Sequence, residues 1–364
     1  MVKAQVLVLV QGYPDEHNRY NMAYVHSRLL GYQQAGFNVT VLSFSASIDY
    51  VFEDISVVTE KSWLKHTSHK TLLIAHAPNL RNHMRFLLLY GHRFSHWFFF
   101  FHGHEVLEKR LYYPEPYAYM PQAHTLYQTL DRAYDKAKLR ILRRLISRWL
   151  QQKRLHLIFV SEWMLNAFVE NVQLSRNEIM PFSQVIPNAV HPAFLQKQWR
   201  ADGPFQADVI TIRPLDNSKY AIDQVLGFAH QFPELSFHVF GKGKYFIHHP
   251  PPPNLIWEDA FLKPEDIVRK LKNYRAALMP TRLDAQGVMM CELASAGIPV
   301  ITSDLPICRE MLKDFHRVYF LNGQNKPLPE IIEQLCQLPP PSKQPFDADN
   351  LIAAEVQLLL SVIN

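Results

Sequence analysis

Two carboxylates flank a glycine in the stretch Pro280-Thr-Arg-Leu-Asp-Ala-Gln-Gly-Val-Met-Met-Cys-Glu292. An apolar run that reads as a strand precedes it. Gly287 would then open a helix whose first-turn amides and positive dipole end suit a phosphate. Asp284 stands before that turn and Glu292 inside the helix, so a ligand laid across the helix start would meet one carboxylate at each end. Hydroxyls of a sugar or ribose need such acceptors. Standing alone, Asp284 reads as a capping residue and Glu292 as a solvated helix position. Upstream, Ile212-Arg-Pro-Leu-Asp-Asn-Ser-Lys219 puts two cations at the end of a strand and the start of a helix, where open α/β sheets bind ligands. A diphosphate needs such charges, although Lys and Arg are also the usual surface residues. In Phe240-Gly-Lys-Gly243 a strand meets a glycine turn that lets backbone approach a ligand closely, a weak signal by itself. Nearer the N-terminus, Phe98-Phe-Phe-Phe-His-Gly-His-Glu105 is a strand ending in a His-Gly turn. A neutral His102 there could orient a reacting group, or simply satisfy a backbone carbonyl. His104 and Glu105 are weaker candidates, and metal binding through His102 and His104 lacks a third ligand at suitable spacing.

These residues need elements to hold them. Residues 6–10 read as a strand that breaks at Gln11-Gly12-Tyr13-Pro14. A helix over 20–35 ends at Gly36, a suitable C-cap, and leads into an alternating strand at 39–43, completing one βαβ unit. Further strands are predicted at 72–75, 97–101 and 157–160. A second series, after Ile186-Pro-Asn-Ala-Val-His-Pro192, has strands at 209–212, 237–240, 276–279 and 299–301, with helices between them. Such alternation predicts parallel sheets covered by helices on both faces. Over 364 residues it predicts two domains, because one core seldom grows that large. The prolines of 250–253 read as a loop spacer. Those of 338–345 read as a stiff connector to a final helix over 348–362.

The composition, 48% apolar and 20% charged, is that of an ordinary soluble globular chain and excludes fibrous or disordered classes. The apolar start is too short for a membrane span and has no cleavage site. Three cysteines, Cys291, Cys308 and Cys336, have no metal-type spacing and suit a reducing cytoplasm. A net charge of +5 is modest, but residues 132–154 hold nine Lys or Arg, with apolar residues interleaved at helical spacing. That segment reads as a surface helix packed on the core, or as an interfacial helix over 131–154 meeting an anionic membrane. No stacking or groove-reading motif accompanies the charge, so nucleic acid is not expected as a partner.

Taken in order, Val185-Ile-Pro-Asn-Ala-Val190, Arg213 with Lys219, Phe240-Gly-Lys-Gly243 and the acidic-x7-Glu pair Asp284 and Glu292 resemble the glycosyltransferases of family 4. The resemblance spans most of the chain and points to members that build cell-envelope or capsular polysaccharide. It implies the GT-B fold: two Rossmann-like, doubly wound domains facing across a cleft. An N-terminal acceptor domain over 1–192, a nucleotide-sugar domain over 193–346 and a helix over 347–364 returning to the first domain would follow. By the same likeness, Arg213 and Lys219 would contact the donor diphosphate, Glu292 the ribose and Asp284 the donor sugar. Amides at Gly287 and Val288 would support phosphate or sugar hydroxyls, Gly241 and Gly243 would line the donor site, and His102 would face the transferring sugar. It implies a retaining hexosyl transfer by front-face attack. The co-substrate would be a nucleotide sugar, a UDP-sugar first, with no tightly bound cofactor or metal. The expected acceptor is a saccharide, lipid-linked in view of the basic helix and the apolar stretch 84–90, and the expected location is the cytoplasm or the inner face of the plasma membrane. Two departures stand out: Asp284 occupies a position where the family usually has Glu, and Gly12-Tyr-Pro-Asp-Glu-His-Asn-Arg-Tyr-Asn21 replaces a glycine-rich loop. Tyr13, Asn18, Arg19 and Asn21 are candidates there for acceptor contacts or for shaping the loop. Those departures also leave open a non-catalytic GT-B protein that binds a partner transferase or a glycan, and less readily a sugar-nucleotide epimerase.

Overall fold

The computed structural model describes residues 4–16, 18, 21–65, 71–121, 125–196, 198–200, 203–323 and 326–363. The chain divides into two units, the first made of residues 1–109, 129–189 and 348–364 and the second of residues 110–128 and 190–347.

In the first unit an eight-stranded sheet runs β3-β4-β2-β1-β5-β6-β7-β8. The strands are β1 (Gln5–Val10), β2 (Asn38–Ser43), β3 (Tyr50–Phe52), β4 (Ile55–Val58), β5 (Thr71–His76), β6 (Phe94–Phe101), β7 (Leu155–Phe159) and β8 (Ser183–Val185). Only the β3–β4 pair is antiparallel. Its turn is Glu53-Asp54, both left-handed at φ 44° and 68°, the backbone a two-residue hairpin needs. Without a glycine or asparagine to announce it, this hairpin is not evident in the sequence. β1 is buried from Val6 to Val10, as a central parallel strand covered on both faces must be. Helix α1 (Ala23–Gln34) stops at Ala35, and Gly36 takes the left-handed φ of 94° expected of a C-cap glycine. Helix α2 (Arg85–Tyr90) follows, then α3 (Thr125–Gln151), which belongs to this unit from residue 129 on. α3 turns Leu139, Leu142, Ile146, Trp149 and Leu150 inward and leaves Arg132, Lys136, Arg140, Arg143, Arg144 and Arg148 exposed. The basic face is interrupted at Lys138, which is buried and bonds Asp135 at 2.8 Å and the Leu107 carbonyl at 3.2 Å.

The second unit holds an all-parallel sheet ordered β11-β10-β9-β12-β13-β14. Its strands are β9 (Ala207–Ile212), β10 (Phe237–Phe240), β11 (Leu255–Glu258), β12 (Tyr274–Met279), β13 (Val300–Ser303) and β14 (Val318–Leu321), with α4 (Ile222–Gln231) after β9 and α5 (Val288–Ala296) after β12. The order reverses beside the first strand of each sheet, the doubly wound arrangement that leaves a ligand crevice at the carboxyl ends of the strands. Residues 110–128 fall within the span expected for the N-terminal domain, yet they belong to this unit. Tyr117 bonds Asp223 at 2.7 Å, Tyr119 bonds Asp216 at 2.8 Å, and the Tyr119 ring stacks 4.3 Å from that of His248.

After the prolines of 338–345 the last helix, α6 (Ala348–Ser361), returns to the first unit. Its Leu359 joins the β1–α1 core, and Gly31 of α1 makes room for Ile352, since a methyl at position 31 would stand 2.6 Å from the Ile352 Cδ1. Between the two helices a charge pair is fully buried. Nε of Arg28 donates to both carboxylate oxygens of Glu355 at 2.8 Å, Tyr32 donates to the same carboxylate, and Nη1 of Arg28 donates to Asn188 Oδ1 at 3.2 Å. The guanidinium lies 4.8 Å from the Phe100 ring centre.

Candidate functional site

In the second unit β9 ends at Ile212, and Arg213, the next residue, is buried. Its Nη2 donates to the Met279 carbonyl at 3.0 Å, and its cation lies 5.3 Å from the Tyr220 ring centre. Nε is buried and has no hydrogen-bond partner among the described residues. Burial draws the guanidinium pKa down, and the nearby Asp284 carboxylate opposes that. Arginine nonetheless stays protonated in proteins, so the site holds a desolvated cation with an unused donor, which an anion would satisfy. Lys219 is partly exposed in the turn Ser218–Tyr220, ahead of α4, with Nζ 4.6 Å from the Tyr220 ring centre.

The two loops carrying these cations and the carboxylates are tied together through Lys219. Its carbonyl accepts from Arg282 N at 2.7 Å and Thr281 Oγ1 at 3.0 Å. Arg282 in turn chelates Asp223 and donates to the Ser218 carbonyl at 2.8 Å. Arg282 and Asp223 escaped the sequence reading, because an arginine beside a motif carries no signal until its partner, 59 residues away, is located.

Asp284 does not cap α5. Its Oδ1 accepts from the backbone N–H groups of Ala285 at 2.8 Å and Gln286 at 3.3 Å, closing a turn ahead of the helix. The helix start is Gly287, left-handed at φ 73°, which offers no side chain of its own to cap the first-turn amides. A methyl at position 287 would lie 3.6 Å from Asp284 Oδ2, so the carboxylate stands at this turn. Those amides, from Val288 onward, keep the orphan donors and positive field that favour a phosphate. Glu292 is buried, not solvated: Oε1 accepts from His191 N at 3.2 Å, and burial pushes its carboxyl up to about 7. Gly241 allows a backbone contact that no other residue could, since a methyl there would stand 1.8 Å from the Arg213 carbonyl oxygen. Gly243 has φ 147° and lies against Leu215 and Asp216. Arg213, Lys219, Gly241, Gly243, Asp284, Gly287, Val288 and Glu292 thus gather at the carboxyl ends of β9, β10 and β12 and the start of α5.

His102 belongs to the first unit, at the end of β6. Glu105, a weak candidate from sequence, is buried and organises this turn, accepting the backbone N–H groups of His102 and, at 3.1 Å, of Gly103. His104 is exposed. His76, at the end of β5, is buried with Nδ1 3.2 Å from His102 Nε2, and the Tyr24 ring packs 4.9 Å from His102. Burial, with the nearby Arg28 cation second, holds both imidazoles well below the usual histidine range. Tyr13 is buried in the core, its hydroxyl 2.7 Å from His26 Nδ1. Asn18 and Asn21 belong to the loop itself: Asn18 N bonds Asp15 at 2.7 Å, and the Asn21 amide fills the space beside Gly12. Arg19 lies outside the described residues. No group of three or more His, Cys, Asp or Glu among the described residues could hold a metal ion.

No protein-family model matches the chain, and no curated protein matches it in sequence. Solved structures do match along the whole chain. Sucrose-phosphate synthase from Thermosynechococcus elongatus superposes with a TM-score of 0.69 at 10% identity, covering 99% of both chains. The fold is GT-B. An α,α-trehalose-phosphate synthase (UDP-forming) from Burkholderia vietnamiensis gives 0.64 at 10% identity over 100% of this chain and 98% of that one. The pneumococcal O-GlcNAc transferase GtfA, in complex with UDP and GlcNAc, gives 0.57 at 9% identity over the whole of both. In this GT-B chain the return of α6 to the first unit is as the sequence implied, and the candidate residues divide as described, with His102 in the first unit and the rest in the second.

Proposed function

We propose that the protein is a retaining glycosyltransferase of the family 4 type. It would move a hexosyl group from a nucleotide sugar, a UDP-sugar in the first instance, to a saccharide acceptor in the synthesis of cell-envelope polysaccharide or glycoconjugate. The observation that carries this reading is the buried Arg213, with its unused donor, set among Lys219, the uncapped start of α5 and the buried Glu292. A diphosphate would take the two cations and the Gly287 and Val288 amides. The ribose hydroxyls would take Glu292, Asp284 would face the transferring sugar, and His102 would bond that sugar. Gly241 and Gly243 would let backbone lie against the nucleotide. In the reaction the bond from the anomeric carbon to the diphosphate oxygen breaks as the acceptor oxygen bonds the same face of that carbon. The acceptor proton passes to the departing phosphate. Arg213, Lys219 and the helix start stabilise the charge that develops on the leaving group, which is where preorganised donors act most strongly. The GT-B fold and the UDP-linked names of its structural neighbours support the donor class.

The same reading gives the acceptor a lipid anchor and the protein a peripheral place on the cytoplasmic membrane face. No helix among the described residues is long and apolar enough to cross a membrane. Exposed Arg140, Arg143 and Arg144 on α3, and exposed Leu88 and Leu89 on α2, would supply surface attachment. Binding to anionic vesicles is then expected to weaken with salt and with neutralisation of those three arginines, and salt-independent recovery in the soluble fraction would remove the membrane from the proposal.

The deciding experiment is release of nucleoside diphosphate from a panel of nucleotide sugars, with and without membrane extract, beside Glu292→Ala and Lys219→Ala. Donor-specific release lost in both variants supports the transferase. Nucleotide binding without turnover on any acceptor refutes it in favour of a non-catalytic GT-B protein.

A further inference from the structure

The two facing imidazoles behind the β5 and β6 ends can share only one proton between His76 Nδ1 and His102 Nε2 when both rings are neutral. Two arrangements satisfy the contact, and they differ at the far nitrogen of His76. In one, His76 carries its proton on Nδ1 and donates it to His102 Nε2, leaving His76 Nε2 as a bare lone pair. In the other, His102 donates from Nε2 and His76 must carry its proton on Nε2. That atom is buried with no hydrogen-bond partner among the described residues, and the ring stacks 4.5 Å from Phe100. An orphaned buried N–H is rarer than an under-used acceptor, which selects the first arrangement. The Arg28 cation near both rings, and their burial, disfavour a second proton on either.

We propose that His76 is a positioning residue that fixes the tautomer of His102, so that His102 presents its Nδ1 as a neutral N–H donor. Resting on the reading of His102 as a contact to the transferring sugar, this assigns it a hydroxyl or phosphate oxygen as partner and removes general-base work from it. The Glu105 carboxylate, by holding the His102 and Gly103 amides, fixes the backbone from which the ring projects. The partner chemistry is therefore an acceptor oxygen of the donor substrate, bound without proton transfer.

Nitrogen-15 spectra of the ring nitrogens in histidine-labelled protein, assigned with His76→Phe and His102→Gln, read the tautomer directly and need no substrate. His102 protonated on Nδ1 with a bare Nε2 is the expected result, and protonation on Nε2 overturns the proposal. His76→Phe should release the bias, whereas His76→Asn, whose amide can donate from nearly the same position, should keep it; an unchanged His102 tautomer in His76→Phe also overturns it. If His76→Phe does not fold, the wild-type spectrum decides alone. In turnover with a nucleotide sugar, His76→Phe should lower kcat/KM about tenfold, the order expected for one lost hydrogen bond, and His76→Asn should restore it. Turnover that is indifferent to His102→Gln, beside the expected spectra, refutes the sugar-contact reading and leaves the tautomer assignment standing.

Discussion

Glu292→Gln removes a charge from the interior while keeping the shape and the carbonyl oxygen that accepts from His191. In the folded chain burial raises this carboxyl from its ordinary 4.5 to about 7. The sign follows from linkage: an acid whose folded pKa is raised destabilises the fold once ionised. Below pH 4.5 it is protonated in both states and imposes nothing. The penalty grows as pH rises from 4.5 to about 7 and is constant above. At about 1.4 kcal/mol per tenfold change it reaches about 3 kcal/mol at pH 8 and stays under about 0.5 kcal/mol at pH 4.5. Glutamine mimics the protonated acid at every pH. Urea unfolding of the nucleotide-free protein should therefore show the variant more stable than wild type by about 3 kcal/mol at pH 8 and nearly equal to it at pH 4.5. The same variant should bind nucleoside diphosphate at least tenfold more weakly, because an ionised acceptor for two hydroxyls has been lost. A variant no more stable than wild type at pH 8, or one stabilised equally at both pH values, would refute the idea that this carboxylate is held against its solvation for the sake of a ligand.

Gly241→Ala should fail to accumulate as folded protein or lose more than about 3 kcal/mol in thermal unfolding, since its methyl would overlap the Arg213 carbonyl. Arg28→Met alone should cost about 3 to 5 kcal/mol by leaving Glu355 buried without its partner, and the double variant Arg28→Met with Glu355→Leu should recover most of that; a thermodynamic cycle on unfolding measures the difference. Tyr119→Phe keeps the stack on His248 but drops the bond to Asp216, so proteolysis of the 110–121 segment should accelerate about fivefold, corresponding to about 1 kcal/mol.

Periodicity made most of the scaffold legible. The strand expected at 237–240 is β10 to the residue, and those expected at 209–212 and 276–279 are the C-terminal parts of β9 and β12. Gly36 and Gly287 announced a helix end and a helix start because only their left-handed backbone demanded glycine. Arg213 was legible as a cation at a strand end, but its burial was not, because the Met279 carbonyl that anchors it comes from a strand 66 residues later. The helix expected at 20–35 begins only at Ala23, after a left-handed Met22. Residues 110–128 gave no hint of their unit, since aromatic residues that bond aspartates a hundred positions away leave no periodic trace. His76 was hidden for a similar reason: it ends an ordinary apolar strand, and only the register of β5 against β6 sets it beside His102.

The Arg28–Glu355 pair spans 327 positions of sequence, and protein synthesis runs in one direction only. At the usual 5 to 20 residues per second, roughly 16 to 65 s separate the emergence of these two residues. Throughout that interval α1 lacks the helix that covers it, and its guanidinium lacks the counter-charge that makes burial tolerable. The first unit to be synthesised is therefore among the last to be completed. A ribosome that stalls late releases a chain whose second unit holds its whole sheet while its first displays an uncovered apolar face, the feature by which chaperones and proteases recognise unfinished protein. Arg28 can therefore complete its buried pairing only in a chain that has reached Glu355.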